Sequence, residues 1–133
     1  MNPNAKRVCE MLFDGGIAVI PTTVGYVILG ATTEAIRRII EAKRRAPAKL
    51  NAMIGCKGLH EELHDVNQRS RDVVETITET YDLPLGTVAP ARLDHAMLAG
   101  LDGEVLARTT DQGTVAMLIN AGPLLNRMAE FSL

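Results

Sequence analysis

The stretch Gly15-Gly16-Ile17-Ala18-Val19-Ile20-Pro21-Thr22-Thr23-Val24-Gly25-Tyr26-Val27-Ile28-Leu29-Gly30 decides the fold class. Its first apolar run, residues 17–21, is short and continuous, as a buried strand is. The turn Thr22-Thr23-Val24-Gly25 follows, and then a second run from Tyr26 to Leu29. Upstream, Ala5, Val8, Met11 and Leu12 recur at helical spacing over residues 4–14, and Gly15-Gly16 stops that helix. Downstream, Thr32 or Thr33 can cap a helix running to about Arg44, with Ile36, Ile39 and Ile40 inward and Pro47 ending it.

The alternation continues to the C-terminus. Residues 51–56 and Leu85–Ala89 read as strands, as do 104–108 and 114–119. Gly58–His64 is a loop or short helix, and residues 67–80 form an amphipathic helix with Val73, Val74 and Ile77 on one face. Asp94 can cap a short helix through Leu98, and Pro123–Phe131 is a final helix. Helices alternating with short apolar strands predict an α/β fold with a mixed sheet. The 133 residues suit one domain, residues 1–133, with neither internal repeat nor low-complexity linker.

Composition narrows the function classes. Hydrophobic content of 47% and charged content of 23% are those of an ordinary globular chain, while aromatics at 3% leave the core to aliphatic residues. A net charge of −2 gives no case for binding nucleic acid through bulk charge. The charge is unevenly spread, however. Arg37, Arg38, Lys43, Arg44, Arg45 and Lys49 crowd one short segment, opposed only by Glu41. The N-terminus lacks the apolar core of a signal peptide and no apolar run approaches 18 residues, so a cytoplasmic protein with no membrane partner is the expectation.

Two segments could carry chemistry. The turn at Thr22-Thr23 offers hydroxyls and short side chains that let backbone N–H groups approach a ligand, although two threonines also serve as plain turn formers. Lys43-Arg44-Arg45-Ala46-Pro47-Ala48-Lys49 lies at a helix C-terminus, where cations offset the dipole. It can also be a phosphate clamp, because guanidinium holds phosphate through paired N–H bonds. Neither a Walker P-loop nor a GxGxxG fingerprint occurs.

Together these segments resemble the YrdC-type threonylcarbamoyl-adenylate synthase family. Its members carry a Gly-Gly-strand-PTDTVYGLG segment, a helix rich in Ile and Arg, a KxR-P-xxx-PL loop and a strand. The likeness covers residues 5–56, and residues 84–90 and 113–125 look like later family strands. The resemblance implies a YrdC-like twisted mixed sheet with flanking helices, cut short at its C-terminal end. It implies synthesis of threonylcarbamoyl-AMP and pyrophosphate from threonine, bicarbonate and ATP, for tRNA modification. ATP would be a substrate, with Mg2+ as its companion ion and no prosthetic group. Thr22, Thr23 and Tyr26 would line the threonine and nucleotide cleft, with Lys43, Arg45 and Lys49 at the phosphates.

The chain departs from the pattern in several places. Thr23 replaces the family's Asp, Val24 its next Thr, and Leu50-Asn51 its Pro-Leu. No Ser-x-Asn motif follows Asn126 or Ser132, so the expectation is either a divergent, truncated relative or a partner chain that supplies the rest of the nucleotide site. The alternative is a non-catalytic module that keeps the basic surface and binds double-stranded RNA, tRNA or nucleotide through shape and phosphate contacts. A third reading is an interaction protein that dimerises through an exposed sheet edge.

The remaining candidates are sparse. Cys9 and Cys56 have no metal spacing and read as reduced, buried thiols. His60 and His64, four apart, would share a helix face near Glu61 and Asp65, but no third metal ligand is evident. Asp94-His95 reads as a helix cap with a surface histidine, or as an acid–base pair.

Overall fold

The computed structural model describes residues 3–44 and 50–132. In chain order these form α1 (Pro3–Phe13), the strands β1 (Ile17–Thr22) and β2 (Gly25–Gly30), and α2 (Thr33–Lys43). Next come β3 (Met53–Gly55), α3 (Lys57–Leu63) and α4 (Gln68–Glu75), which runs into a π-helical turn (Thr76–Thr80). The rest is β4 (Leu85–Pro90), α5 (Ala96–Ala99), α6 (Gly103–Ala107), β5 (Thr110–Asp111), β6 (Thr114–Ile119) and α7 (Pro123–Phe131). The fold is mixed α/β, with no described helix long and apolar enough to cross a membrane.

The first half builds a separate hairpin. β1 and β2 pair antiparallel around a two-residue turn, with Thr22 opposite Gly25. Gly25 has a φ of 114°, a backbone state that glycine reaches without penalty. Period-two alternation turns Ala18, Ile20, Val27 and Leu29 toward α1 and α7, where Ala5, Cys9, Leu12, Leu125 and Met128 are buried. Thr32 caps α2 by accepting the Ala35 N–H at 3.2 Å. α2 lies close on the hairpin at Gly30, where a Cβ would meet Ala35 and Ile39 at 3.1 Å each.

The second sheet is organised by β6, which pairs parallel with β3 and antiparallel with β4 and β5. Val115, Met117 and Ile119 enter a cluster with Leu59, Leu63, Val74 and Leu98. Leu118, facing the other way, packs with Ile54 against the cluster of α1, α7 and the hairpin. A strand covered on both faces is the natural centre of the molecule.

The structure corrects several expectations. Residues 104–108 are not a strand: Asp102 accepts the Val105 N–H at 3.0 Å and starts α6. His95, not Asp94, caps α5, its Nδ1 accepting the Met97 N–H at 3.2 Å. On α4 the buried face is Val74 with Thr78 in the next turn, while Val73 is 51% exposed. The strand expected at 51–56 is confined to Met53–Gly55, and Cys56 caps α3 instead. Both thiols are free and buried. Burial pushes each above its ordinary pKa, which leaves them unreactive.

Candidate functional site

β3 and β6 run parallel, with Gly55 opposite Ile119, and each ends at the start of a helix. The carboxyl ends of parallel strands are where α/β sheets place ligands, because the strands stop there and the following helices splay apart. Two adjoining clefts open at this edge. The larger, about 370 Å³, is lined by Thr23, Asp82, Asn120, Gly122, Arg127 and Glu130 among others. The smaller, about 210 Å³, is bounded by Cys56, Lys57 and Thr78 and shares Asn120, Asn126 and Glu130 with its neighbour.

The hairpin turn forms one wall. The Thr22 hydroxyl is used within the turn, donating to the Gly25 carbonyl at 2.6 Å and accepting the Val24 N–H at 3.1 Å. Thr23 reaches across the molecule: its N–H and its hydroxyl both donate to the Ala121 carbonyl, at 3.0 and 3.1 Å. This pair of hydrogen bonds to one oxygen docks the hairpin on the β6–α7 connection, and Thr23 lines the larger cleft. Tyr26, opposite Pro21, is 80% exposed. Lys43 is the last residue of α2. Arg45 and Lys49 lie outside the described residues. Of the residues expected at the site, Thr23 therefore lines the cleft and Thr22 shapes its turn.

The opposite wall was not expected. Asn120 and Asp82 both hold left-handed backbone, with φ of 58° and 51°, a conformation Asn and Asp tolerate better than other side chains. Asn120 Nδ2 lies 3.0 Å from Asp82 Oδ1, and 3.1 and 3.2 Å from the Thr78 and Leu83 carbonyls. Thr78 belongs to the π-helical turn and Leu83 follows it; such turns recur at functional sites. With the amide nitrogen of Asn120 pointed at three acceptors, its Oδ1 accepts the Asn126 Nδ2 at 2.9 Å. Asn126 Oδ1 is then left buried with no hydrogen-bond partner. The only sequence signal here was local: Asn120-Ala-Gly-Pro123 combines a residue suited to left-handed backbone with proline at a helix start.

The charges along the larger cleft are mixed. Asp82 and Glu130 bring carboxylates, and Arg127 pairs with Glu130 at 3.0 Å. Beside the smaller cleft, Lys57 bonds Glu75 at 3.2 Å, and that hydrogen bond raises its pKa.

The histidines lie elsewhere. His60 and His64 are 2% and 0% exposed, with their Nδ1 atoms 2.9 Å apart. His64 Nε2 faces the Val115 carbonyl at 2.9 Å, so it carries the proton and His64 Nδ1 is an acceptor. His60 Nδ1–H is then the donor, and His60 Nε2 is a bare, unpartnered nitrogen. Burial above all, and for His60 also the neighbouring imidazole, lowers both pKa values and keeps the pair neutral. The pair is a core hydrogen-bond relay between α3 and β6. Among the described residues no group of three or more His, Cys, Asp or Glu side chains could hold a metal ion. His95 Nε2 donates to Glu62 at 3.1 Å, so Asp94-His95 closes a helix start rather than lining either cleft.

No protein-family model and no curated protein matches the chain. The fold is similar to the crystal structure of a hypothetical protein, smu.1377c, from Streptococcus mutans UA159, with a TM-score of 0.81 and 25% sequence identity. The match covers 94% of this chain and 50% of that one, so the chain spans about half the length of this relative.

Proposed function

We propose that the chain is a ligand-binding domain of the threonylcarbamoyl-adenylate synthase type, with threonine in the cleft beside Thr23 and ATP phosphates at the basic segment of Lys43, Arg45 and Lys49. One observation carries this reading. Thr23 belongs to the turn that the resemblance assigns to substrate, and it lines a cleft holding both charge signs, Asp82 and Glu130 with Arg127. A wall with carboxylates and a guanidinium suits a small zwitterion, whose ammonium and carboxylate need opposite partners, better than it suits a polyphosphate. The start of α7, which follows Gly122 and opens with Pro123, brings the positive end of a helix dipole to the cleft, which favours a carboxylate.

In this reading the protein works by position and charge: it holds threonine, bicarbonate and ATP together while threonylcarbamoyl-AMP forms and pyrophosphate leaves. Mg2+ accompanies ATP. The second reading, a non-catalytic module for nucleotide or double-stranded RNA, is favoured by Thr23 and Val24 standing where the family has Asp and Thr. Calorimetry with ATP, with and without threonine, separates the two. Micromolar ATP binding that threonine strengthens, and that a Lys43→Ala, Arg45→Ala double variant loses, supports the first. Absence of ATP and threonine binding in the wild type sinks it, and retention of duplex RNA then selects the second.

A further inference from the structure

We infer that the open face of the β1–β2 hairpin is a docking surface for a second copy of this chain, giving a weak two-fold dimer. The inference stands apart from the reading of the clefts, since Val19, Pro21, Val24 and Tyr26 line neither of them. Alternation along the hairpin sorts its side chains to two faces. Ala18, Ile20, Val27 and Leu29 point inward, to α1 and α7. The cross-strand pairs Ile17–Gly30, Val19–Ile28 and Pro21–Tyr26 belong to the outer face. α2 covers that face at one end, where a Cβ on Gly30 would meet Ala35 and Ile39. Toward the turn the face is open: Pro21 is exposed, and Val19, Val24 and Tyr26 are each more than half exposed.

What marks this patch is its lack of charge. Residues 15–30 hold no Asp, Glu, Lys, Arg or His. Of the exposed large apolar side chains elsewhere among the described residues, all but Val88 stand next to a charged residue in sequence. A charge-poor surface that carries tyrosine has the composition of a protein interface core. A charged partner finds no counter-charge here, whereas two copies of the patch meet apolar side to apolar side without like-charge repulsion. The net charge of −2 adds little repulsion between whole chains. A two-fold axis suits such a self-matching patch. The hairpin of the second copy then lies in the same layer as α2, about 10 Å above the strands, and completes the cover that α2 leaves unfinished. The open half-face is smaller than the roughly 800 Å² per partner of a stable complex. The dimer is accordingly weak, with a dissociation constant on the order of 100 µM.

The test is sedimentation of the wild type, Tyr26→Asp, Val19→Asp and Tyr81→Asp from about 10 µM to about 1 mM, a range that brackets the expected constant. The wild type should rise from the mass of one chain toward that of two. Tyr26→Asp and Val19→Asp each set two like charges against each other across the axis and should weaken association at least about tenfold. Both sites are exposed, so the variants should keep the far-ultraviolet circular dichroism of the wild type. Tyr81→Asp changes an exposed tyrosine outside the patch and should associate as the wild type does. A wild type that stays one chain at about 1 mM overturns the inference, and that arm depends on no variant. Association that Tyr26→Asp and Val19→Asp leave unchanged, or that Tyr81→Asp weakens as much, overturns it as well. A mass that climbs past two chains overturns the closed two-fold.

Discussion

Two polar pairs in this molecule share one design and differ in their surroundings. His60–His64 and Asn120–Asn126 are each joined at 2.9 Å, and each has its direction set by a partner beyond it. Each leaves one atom bare, His60 Nε2 in one and Asn126 Oδ1 in the other. The histidines are sealed in the core between α3 and β6. The asparagines stand at the carboxyl end of β6, between two clefts. Both bare atoms are closed to solvent; what differs is that Asn126 is a residue lining two clefts, whereas His60 lies in the core.

The largest effect should come from breaking the histidine pair on one side only. His64→Leu leaves the His60 N–H unpaired in the core and removes one of the donors to the Val115 carbonyl, and should cost about 1–3 kcal/mol in urea denaturation. The double variant His60→Leu, His64→Leu removes both ring partners and should be less destabilised than the sum of the singles, since matched removal of polar partners is mild. A single variant within about 0.5 kcal/mol of wild type would show that the pair does not hold the core.

Acid should act on the same pair and spare the asparagines. Both histidine pKa values are lowered on folding from 6.5, chiefly by burial, so the unfolded chain binds protons that the folded chain refuses. The stability from keeping the rings neutral is fully present above pH 6.5 and is lost as pH falls from there toward the folded values. Each ring contributes a slope of at most about 1.4 kcal/mol per pH unit. Denaturation midpoints at stepped pH should fall below that point in wild type and flatten in the double leucine variant.

Smallest should be the stability change from Asn126→Leu. It removes one unpaired acceptor and exposes another, Asn120 Oδ1, so the two nearly cancel and the change should stay within about 1 kcal/mol. A loss as large as that of His64→Leu would make the asparagines a second structural node and erase the contrast.

The sequence made the fold readable and half of the site. Hairpin, capped helices and the apolar strand β6 follow from periodicity and turn residues, which act over a few positions. α6 escaped because Glu104-Val105-Leu106-Ala107 is too short for a helical period to register, although Asp102-Gly103 is a cap in plain view. The hydroxyl turn at Thr22-Thr23 was legible as a ligand-binding candidate. The wall facing it was not. Asn120 is joined to Asp82 and Thr78 across 38 and 42 residues of sequence, and single asparagines carry no spacing signal. The histidines, spaced as a metal pair would be, drew attention because their partner lies four residues away; only burial revealed what the spacing served.

The most direct test of the account is an NMR titration of isotope-labelled protein with L-threonine and then ATP. The account predicts that threonine shifts the backbone and side-chain amide signals of Thr23, Asp82, Asn120, Gly122 and Asn126 and leaves the ring signals of His60 and His64 in place. Threonine that shifts none of these amides, or shifts centred on the histidine core, would contradict it.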